Sequence, residues 1–137
     1  MQTLDVYMKK LCPQYLIKHS EIVDEVTVDV RTPTEYGSIA KLEHNISVIN
    51  EKEYDFLHRN KPIAGIIVLY GLIKNRKRIK DRLLFISNNN SKKIIIACSR
   101  GRIRSPIVWI YSRYLKIDSK VLMDGIHSLK NPIKKPI

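Results

Sequence analysis

The stretch that most constrains the fold is residues 94–105, which read Ile-Ile-Ile-Ala-Cys-Ser-Arg-Gly-Arg-Ile-Arg-Ser. The short β-branched run predicts a strand, and Cys98 falls at its carboxyl end. A glycine-containing loop with three arginines follows, and Ser105 opens an apolar segment that predicts a helix. The order predicts a thiol that lies between a strand end and a helix N-terminus.

A loop at this position is suited to bind an anion. Backbone N–H groups in a turn that enters a helix point inward, and the helix dipole adds to their effect. A cysteine there is held in a setting that favours the thiolate, so we predict that Cys98 is a nucleophile. The alternative is a buried cysteine that ends a core strand, but it gives no reason for the arginines. The predicted catalytic and anion-binding residues are Cys98, Ser99, Arg100, Gly101, Arg102, Ile103, Arg104 and Ser105.

Strand-like and helix-like segments alternate along the chain, which predicts an α/β fold with an open, mostly parallel sheet and helices on both faces. The run at 93–97 is apolar throughout, as expected of a central strand that is buried on both faces. Other predicted strands are 26–31, 46–49 and 120–123; predicted helices are 5–18 (broken at Pro13), one that starts at Thr32-Pro33, 51–59, 63–82, 105–115 and 126–131.

In an open parallel sheet, ligands bind beyond the carboxyl ends of the strands. Cys98 falls at that edge, and we expect the ends of the first and last predicted strands, near Arg31 and Gly125, to lie beside it.

The charge is distributed unevenly. The chain of 137 residues has a net charge of +12, yet residues 1–60 carry −3 and residues 61–137 carry +15. Such an excess predicts a polyanionic partner, RNA or DNA, although a solvated lysine-rich surface from a compositional bias toward Ile, Lys and Asn is the alternative. The densest cluster has six cations within residues 74–82. It is either a phosphate contact or a solvated helix end; its candidate residues are Arg76, Lys77, Arg78, Lys80 and Arg82.

The two cysteines, Cys12 and Cys98, do not form a disulfide framework, and we expect both to be reduced. No secretory signal is apparent, and no apolar run approaches the roughly 20 residues that a membrane span requires. We therefore expect a cytoplasmic protein without membrane contact. Cys12 lies among apolar residues, which favours a packing role.

Three separated motifs resemble the rhodanese-like family of sulfurtransferases. Asp29-Val30-Arg31 followed by Glu35-Tyr36 resembles the family signature Asp-Val-Arg-x-x-x-Glu-Tyr/Phe. The Cys98 loop stands in the place of the active-site loop. Met123-Asp124-Gly125 with Leu129-Lys130 resembles the closing strand and its turn. The resemblance implies one rhodanese-like domain in residues 1–137, with a core from about 20 to 131 and a basic tail at 132–137.

Within that family, the loop is most similar to that of the tRNA 2-selenouridine synthases, which reads Cys-x-Arg-Gly-Gly-x-Arg-Ser. Here Arg102 replaces the second glycine. Those enzymes also carry a C-terminal P-loop domain, and no Gly-x4-Gly-Lys-Ser/Thr motif occurs in this sequence. The resemblance therefore implies the rhodanese half of a split enzyme whose P-loop half is a separate polypeptide. Residues 37–46 diverge from the family's Gly-His-Ile-Pro-Gly-Ala element.

The implied reaction replaces the sulfur of 2-thiouridine in tRNA with selenium from selenophosphate. Cys98 would carry selenium as a perselenide or sulfur as a persulfide, while Arg100 and Arg104 stabilise the anion. Asp29, Arg31 and Gly125 would have structural or orienting roles. The implied partners are tRNA, the P-loop half, and selenophosphate or its synthetase; we expect no metal and no resident cofactor.

Other functions fit some of the same residues. Cys-x5-Arg-Ser is also the spacing of cysteine phosphatases, but Ala97 precedes the cysteine where those enzymes usually have histidine. A general rhodanese sulfurtransferase needs the same loop chemistry without selenium. A non-catalytic rhodanese-like module that binds a protein or RNA gives no reason for an intact cysteine with its arginines.

Overall fold

A parallel sheet forms the centre of the molecule, whose computed structural model describes residues 4–36, 42–89, 91–98 and 102–126. Within those ranges it has five strands in the order β1-β5-β4-β2-β3, and every neighbouring pair is parallel. The predicted open, parallel α/β fold is therefore confirmed. The strands are β1 (Leu16–Ile17), β2 (Val26–Asp29), β3 (His44–Asn45), β4 (Ile94–Ala97) and β5 (Ser119–Leu122).

The helices are α1 (Leu4–Leu11), α2 (Pro33–Tyr36), α3 (Glu51–Arg59), α4 (Ala64–Lys74), α5 (Arg76–Ile86) and α6 (Arg104–Tyr114), and three of them follow one another between β3 and β4. Asn50 begins α3 with a capping box, because its side chain accepts from the Glu53 N–H at 2.8 Å and the Glu53 carboxylate accepts from the Asn50 N–H at 2.9 Å. No helix in the described ranges is long and apolar enough to cross a membrane.

The predicted helix over 63–82 is two helices that meet at Asn75. The Asn75 side chain donates to the Gly71 carbonyl at 3.0 Å, and its backbone N–H donates to the same oxygen. An amide side chain that competes for a helix carbonyl disfavours continuation of the helix. The second helix then runs to Ile86, beyond the predicted end.

The core lies on both sides of β4, which is the central strand and is buried at all four residues. On one side, the larger cluster joins alternate strand residues to α4, α5 and α6; its members include Val28, Ile94, Ile96, Val68, Ile79, Leu83 and Val108. On the other side, a smaller cluster contains Ile17, Ile95, Ala97, Leu122 and Ile126, with Ile22 and Leu42 packed against it. The prediction of a strand buried on both faces is thus confirmed.

The amino-terminal segment differs from the prediction of a helix over 5–18. Helix α1 ends at Leu11, a short 3-10 turn follows at Pro13–Tyr15, and β1 pairs with β5 at the sheet edge. Two residues are too few to show the alternation that identifies a strand in sequence. Ile17 is nevertheless buried, so residues before position 20 also join the core.

The strand predicted at 46–49 is displaced by two residues. The ladder pairs His44 with Val28 and Asn45 with Asp29. The apolar residues beyond it are buried, and the N–H groups of Ile46 and Val48 donate to the Asp29 and Val30 carbonyls. Burial, and not membership of the strand, therefore produces the apolar pattern. The helix predicted over 126–131 lies almost wholly outside the described residues.

Candidate functional site

Cys98 lies directly after β4 at the carboxyl edge of the sheet, and neighbouring segments hold its backbone on two sides. The Val30 N–H donates to the Ala97 carbonyl at 2.8 Å, and the Ile126 N–H donates to the Cys98 carbonyl at 2.8 Å. The side chain is only 3% exposed. The cysteine is thus fixed between the end of β2 and the segment that leaves β5.

The first turn of α6 supplies hydrogen-bond partners to the thiol. The backbone N–H of Ser105 donates to Cys98 Sγ at 3.4 Å, and the thiol donates to Ser105 Oγ at 3.4 Å. Ser105 is fully buried and is the second residue of α6. Donors at a helix N-terminus stabilise negative charge on sulfur. The predicted arrangement of strand end, thiol and helix N-terminus is present in the structure.

Arg104 begins α6 and is almost wholly buried beside this site. Its guanidinium carbon lies 5.3 Å from the ring centroid of Tyr54 in α3, within the range of a cation–π contact. Tyr54 was not among the predicted site residues, because a tyrosine on a predicted amphipathic helix is indistinguishable from a packing residue. The contact ties the first residue of α6, which precedes the residue that touches the thiol, to α3.

The rest of the predicted loop divides between structural contacts and residues that the structure does not describe. Arg102 has an exposed side chain, and its carbonyl accepts a hydrogen bond from the Asp5 N–H at 3.2 Å, which ties α1 to the loop. Ile103 packs against the larger core cluster. The predictions for Ser99, Arg100 and Gly101 lie outside the described residues.

Asp29 and Arg31 form a buried ion pair at the end of β2. The guanidinium Nε and Nη2 donate to both carboxylate oxygens at 2.7 to 3.0 Å. Asn45, from β3, donates its amide to the carbonyls of Asp29 and Arg31, each at 2.9 Å. Asp29 pairs with Ala97 in the sheet register, so this network borders the strand that carries the cysteine. Nothing in the sequence pattern indicated that Asn45 belongs to it.

Gly125 lies in the turn that follows β5. Asp124 and Gly125 both have left-handed backbone conformations, with φ of 62° and 65°. The Gly125 N–H donates to the Leu122 carbonyl at 3.1 Å. This tight turn brings the next N–H, that of Ile126, to the Cys98 carbonyl, so the predicted orienting residue lies directly beside the site.

The start of α5 is basic, and one of its arginines reaches the segment that follows β3. The Arg78 guanidinium donates to the Ser47 carbonyl at 2.7 Å, and the segment that contains Ser47 extends β3 past its carboxyl end. A cavity of about 510 Å³ is lined by Lys74, Arg76, Lys77, Lys80 and Tyr111. Three of the predicted contact residues line this cavity. Arg78 binds Ser47 and Arg82 is exposed further along α5, so neither lines it.

Lys74 and Tyr111 were not among the predicted contact residues. The Tyr111 hydroxyl donates to the Arg76 carbonyl at 3.1 Å, which fixes one wall of the cavity. Burial raises the pKa of Tyr111 above its usual range, and the neutral hydroxyl therefore persists as a donor. No local pattern indicates this contact, since Tyr111 and Arg76 are far apart in the chain. The described residues contain no cluster of His, Cys, Asp and Glu side chains suited to a metal ion.

Comparison with known proteins establishes the fold. No model of a protein family matches the sequence, and no curated protein matches it. One solved structure is similar: the N-terminal domain of a protein from Clostridium difficile 630 that carries the provisional description ATP/GTP binding protein. Its TM-score is 0.70 at 22% sequence identity, over 88% of this chain and 99% of that domain. The two share a fold. That fold is compatible with a rhodanese-like domain.

Proposed function

We propose that this chain is a rhodanese-like chalcogen transferase domain that acts on tRNA, in the replacement of the sulfur of 2-thiouridine by selenium. The observation that carries the proposal is the contact of Cys98 Sγ with the Ser105 N–H at the amino end of α6. It joins a cysteine, a helix N-terminus and the buried Arg104 at the edge of a parallel sheet, where such sheets bind ligands.

The chemistry follows from the donors around the sulfur. In loading by thiosulfate, the Cys98 thiolate attacks the outer sulfur, the sulfur–sulfur bond breaks, and sulfite leaves with the electron pair. The product is a persulfide anion on Cys98. The Ser105 N–H and the first turn of α6 stabilise that anion, and each charge-assisted bond of this kind contributes roughly 1.5–3 kcal/mol. In the proposed reaction, selenophosphate is the selenium donor. Water cleaves its phosphorus–selenium bond to give hydrogen phosphate and hydroselenide. The hydroselenide attacks the inner sulfur of the Cys98 persulfide and displaces hydrosulfide, so that Cys98 carries the selenium as a perselenide.

The basic cavity supports tRNA as the acceptor. Four cations surround about 510 Å³ of space between α4, the start of α5 and α6, the helix whose first turn contacts Cys98. Lysine and arginine side chains that are grouped in this way neutralise backbone phosphates and release counterions. The cavity thus offers a place for the RNA backbone while the anticodon base approaches the thiol.

A nucleotide-binding part is the other proposed component. The similar domain from Clostridium difficile is the N-terminal domain of a protein described as binding ATP or GTP. The 137 residues contain no P-loop motif, so in this proposal the P-loop half comes from outside them. Its role would be to use a nucleotide while the present domain carries the chalcogen.

The direct test is the chemical state of Cys98 in the purified chain. We expect intact-mass spectrometry to show addition of one sulfur after incubation with thiosulfate, and replacement of that sulfur by one selenium after a second incubation with selenophosphate. Cys98→Ser should abolish both additions, and Cys12→Ser is the matched control that should retain them. Release of phosphate from an aryl phosphate that is lost in Cys98→Ser, without any adduct, would instead identify a phosphatase.

A second measurement, with the P-loop half supplied, tests the proposed role of the domain in tRNA modification. Selenium incorporation into 2-thiouridine tRNA should require Cys98. If Cys98→Ala supports the same incorporation, the domain is a scaffold and the transferase proposal is wrong.

A further inference from the structure

Helix α4 is apolar on every side, yet only one side is covered in the part of the chain that the structure describes. Its inner residues pack in the core; they include Ala64, Val68 and Leu72. Its outer face consists of Ile66, Leu69, Tyr70 and Ile73, which we call the α4 stripe and which are 67, 48, 61 and 52% exposed. A helix that is apolar all round is normally buried all round.

The stripe is a continuous surface. Its four residues follow the spacing i, i+3, i+4 and i+7, which places them in one row along the helix. Four large apolar side chains that are each about half exposed or more form a patch of the order of a few hundred Å², a size at which exposed patches mark interaction sites. Isolated exposed apolar residues need no explanation, but a full row along an all-apolar helix does.

The border of the stripe carries positive charge. Lys74 ends α4, and its Nζ lies 5.4 Å from the ring centroid of Tyr70 while it also pairs with Glu53. Arg76 follows at the start of α5, and the lysines further along that helix remain for the RNA. A second copy of this chain would bring the same cations together and add a second net charge of +12, which opposes association. The complementary occupant has an apolar centre and an acidic border.

We infer that the α4 stripe is the docking surface for the nucleotide-binding P-loop part, which meets it with an apolar patch bordered by Asp and Glu. The naming of that occupant rests on the proposed function. The similar domain from Clostridium difficile is the N-terminal domain of a protein described as binding ATP or GTP, which is the kind of partner proposed here. Docking on α4 would place the partner beside the basic cavity, because Lys74 belongs to the helix and lines the cavity.

Site-specific photocrosslinking tests the occupant. The full chain, with benzoylphenylalanine at Ile66 or at Ile73, is irradiated in extract of the cells that produce it, and the crosslinked peptides are sequenced by mass spectrometry. Benzoylphenylalanine at Phe85 is the matched control, since that side chain is also exposed and lies on α5. We expect both stripe positions, and not the control, to crosslink to a protein that contains Gly-x4-Gly-Lys-Ser/Thr. Crosslinks to a second copy, to another part of the same chain, to RNA or to a protein without that motif would overturn the inference, as would no crosslink.

Affinity then measures the contribution of the stripe. Ile66→Glu combined with Ile73→Glu should weaken binding of the purified P-loop protein at least tenfold, whereas Phe85→Glu should leave the Kd within twofold. An unchanged Kd in the double variant would overturn the inference. Sulfur loading of Cys98 by thiosulfate needs no partner and should be unchanged in the double variant. If the wild-type chain does not take up sulfur on Cys98, that result counts against the proposed function alone, because the crosslinks and the Kd do not depend on sulfur loading.

Discussion

Two guanidinium nitrogens of Arg31 donate hydrogen bonds to the carboxylate of Asp29, and both side chains are almost completely buried. The pair lies two residues apart along the chain, at the place where β2 ends beside the strand that carries Cys98. A buried charge is tolerated only while its partner and hydrogen bonds remain in place. The pair is therefore a point where a small change has a large effect on stability.

Removal of one partner should be strongly destabilising. We expect Asp29→Ala to lower the free energy of unfolding by about 3–5 kcal/mol, because it leaves the Arg31 guanidinium buried without its carboxylate. Arg31→Lys keeps the charge but loses the two-pronged geometry, so it should fall between Asp29→Ala and the wild type. Urea unfolding measures both. A loss of less than about 1 kcal/mol for Asp29→Ala would contradict the prediction.

The two glycines of α4 should respond to alanine in opposite directions. A Cβ at Gly71 would lie 2.6 Å from Ile49 Cγ2 and 2.7 Å from the Val48 carbonyl oxygen, whereas nothing lies within 4 Å of one at Gly65. Gly65→Ala should raise the free energy of unfolding by up to about 1 kcal/mol, since alanine favours the helix. Gly71→Ala should lower it by about 1–3 kcal/mol, because backbone would have to move. Equal shifts in the thermal midpoints of the two variants would show that Gly71 does not lie so close to Ile49 and Val48.

The ring of Tyr54 should matter for the reactivity of Cys98 through Arg104. Tyr54→Leu removes the cation–π contact, and we expect sulfur loading by thiosulfate to slow by roughly three- to tenfold, in line with a contact of about 1 kcal/mol. Tyr54→Phe keeps a ring in place and is the matched control that should retain most of the rate. Equal loading rates in the leucine and phenylalanine variants would show that the ring does not affect Cys98 by positioning Arg104.

The basic cavity should determine how tRNA binding depends on salt. Replacement of Lys77 and Lys80 by glutamine should weaken tRNA binding and reduce the slope of log K against log salt by about 1 to 2. Replacement of Lys92 and Lys93 removes the same charge just before β4, at the opposite edge of the sheet. That control should change the slope less. Equal effects of the two double variants would mean that only net charge attracts the RNA.

Glu25 should make stability depend on pH in the acid range. Its carboxylate accepts the Val23 N–H at 2.9 Å, and this bond is the main cause of a pKa below the usual value. The unfolded chain therefore binds the proton more readily, so this contribution is present above the ordinary pKa of about 4.5 and is lost as pH falls through the folded-state pKa. Glu25→Gln should show a smaller loss of stability between pH 5 and 3 in thermal unfolding at a series of pH values, to which roughly one proton contributes. Asp24→Asn is the neighbouring control, and an identical pH profile in Glu25→Gln would contradict the assignment.

Patterns that involve one segment predicted the fold well. The apolar run at β4 and the periodicity of α3 and α6 identified those elements within one or two residues, because burial of a whole strand or of one helix face is visible in local sequence. The strand β1 was not predicted, because two residues are too few to show a period and its position depends on pairing with β5. The helix break at Asn75 was not predicted, because it depends on hydrogen bonds to Gly71 and Val48, and Val48 is distant in sequence.

The candidate site shows the same division. Cys98 and Ser105 were identifiable because strand, loop and helix are consecutive in the chain. Tyr54 and Asn45 were not, since their partners come from other elements, and no spacing along the chain specifies a contact between them. Local sequence thus indicates where reactive groups stand, whereas tertiary packing decides which side chains support them.

The two hydrogen bonds that hold the backbone at Cys98 come from Val30 and Ile126, which lie on opposite sides of it in the sequence. During synthesis on the ribosome, the cysteine emerges before the second of these residues has been made. The reactive geometry is therefore assembled only when the final strand has been added to the sheet. A nascent or truncated chain that ends before β5 would carry the thiol without one of these two backbone contacts. Under the proposed function, we expect such a chain not to load sulfur or selenium.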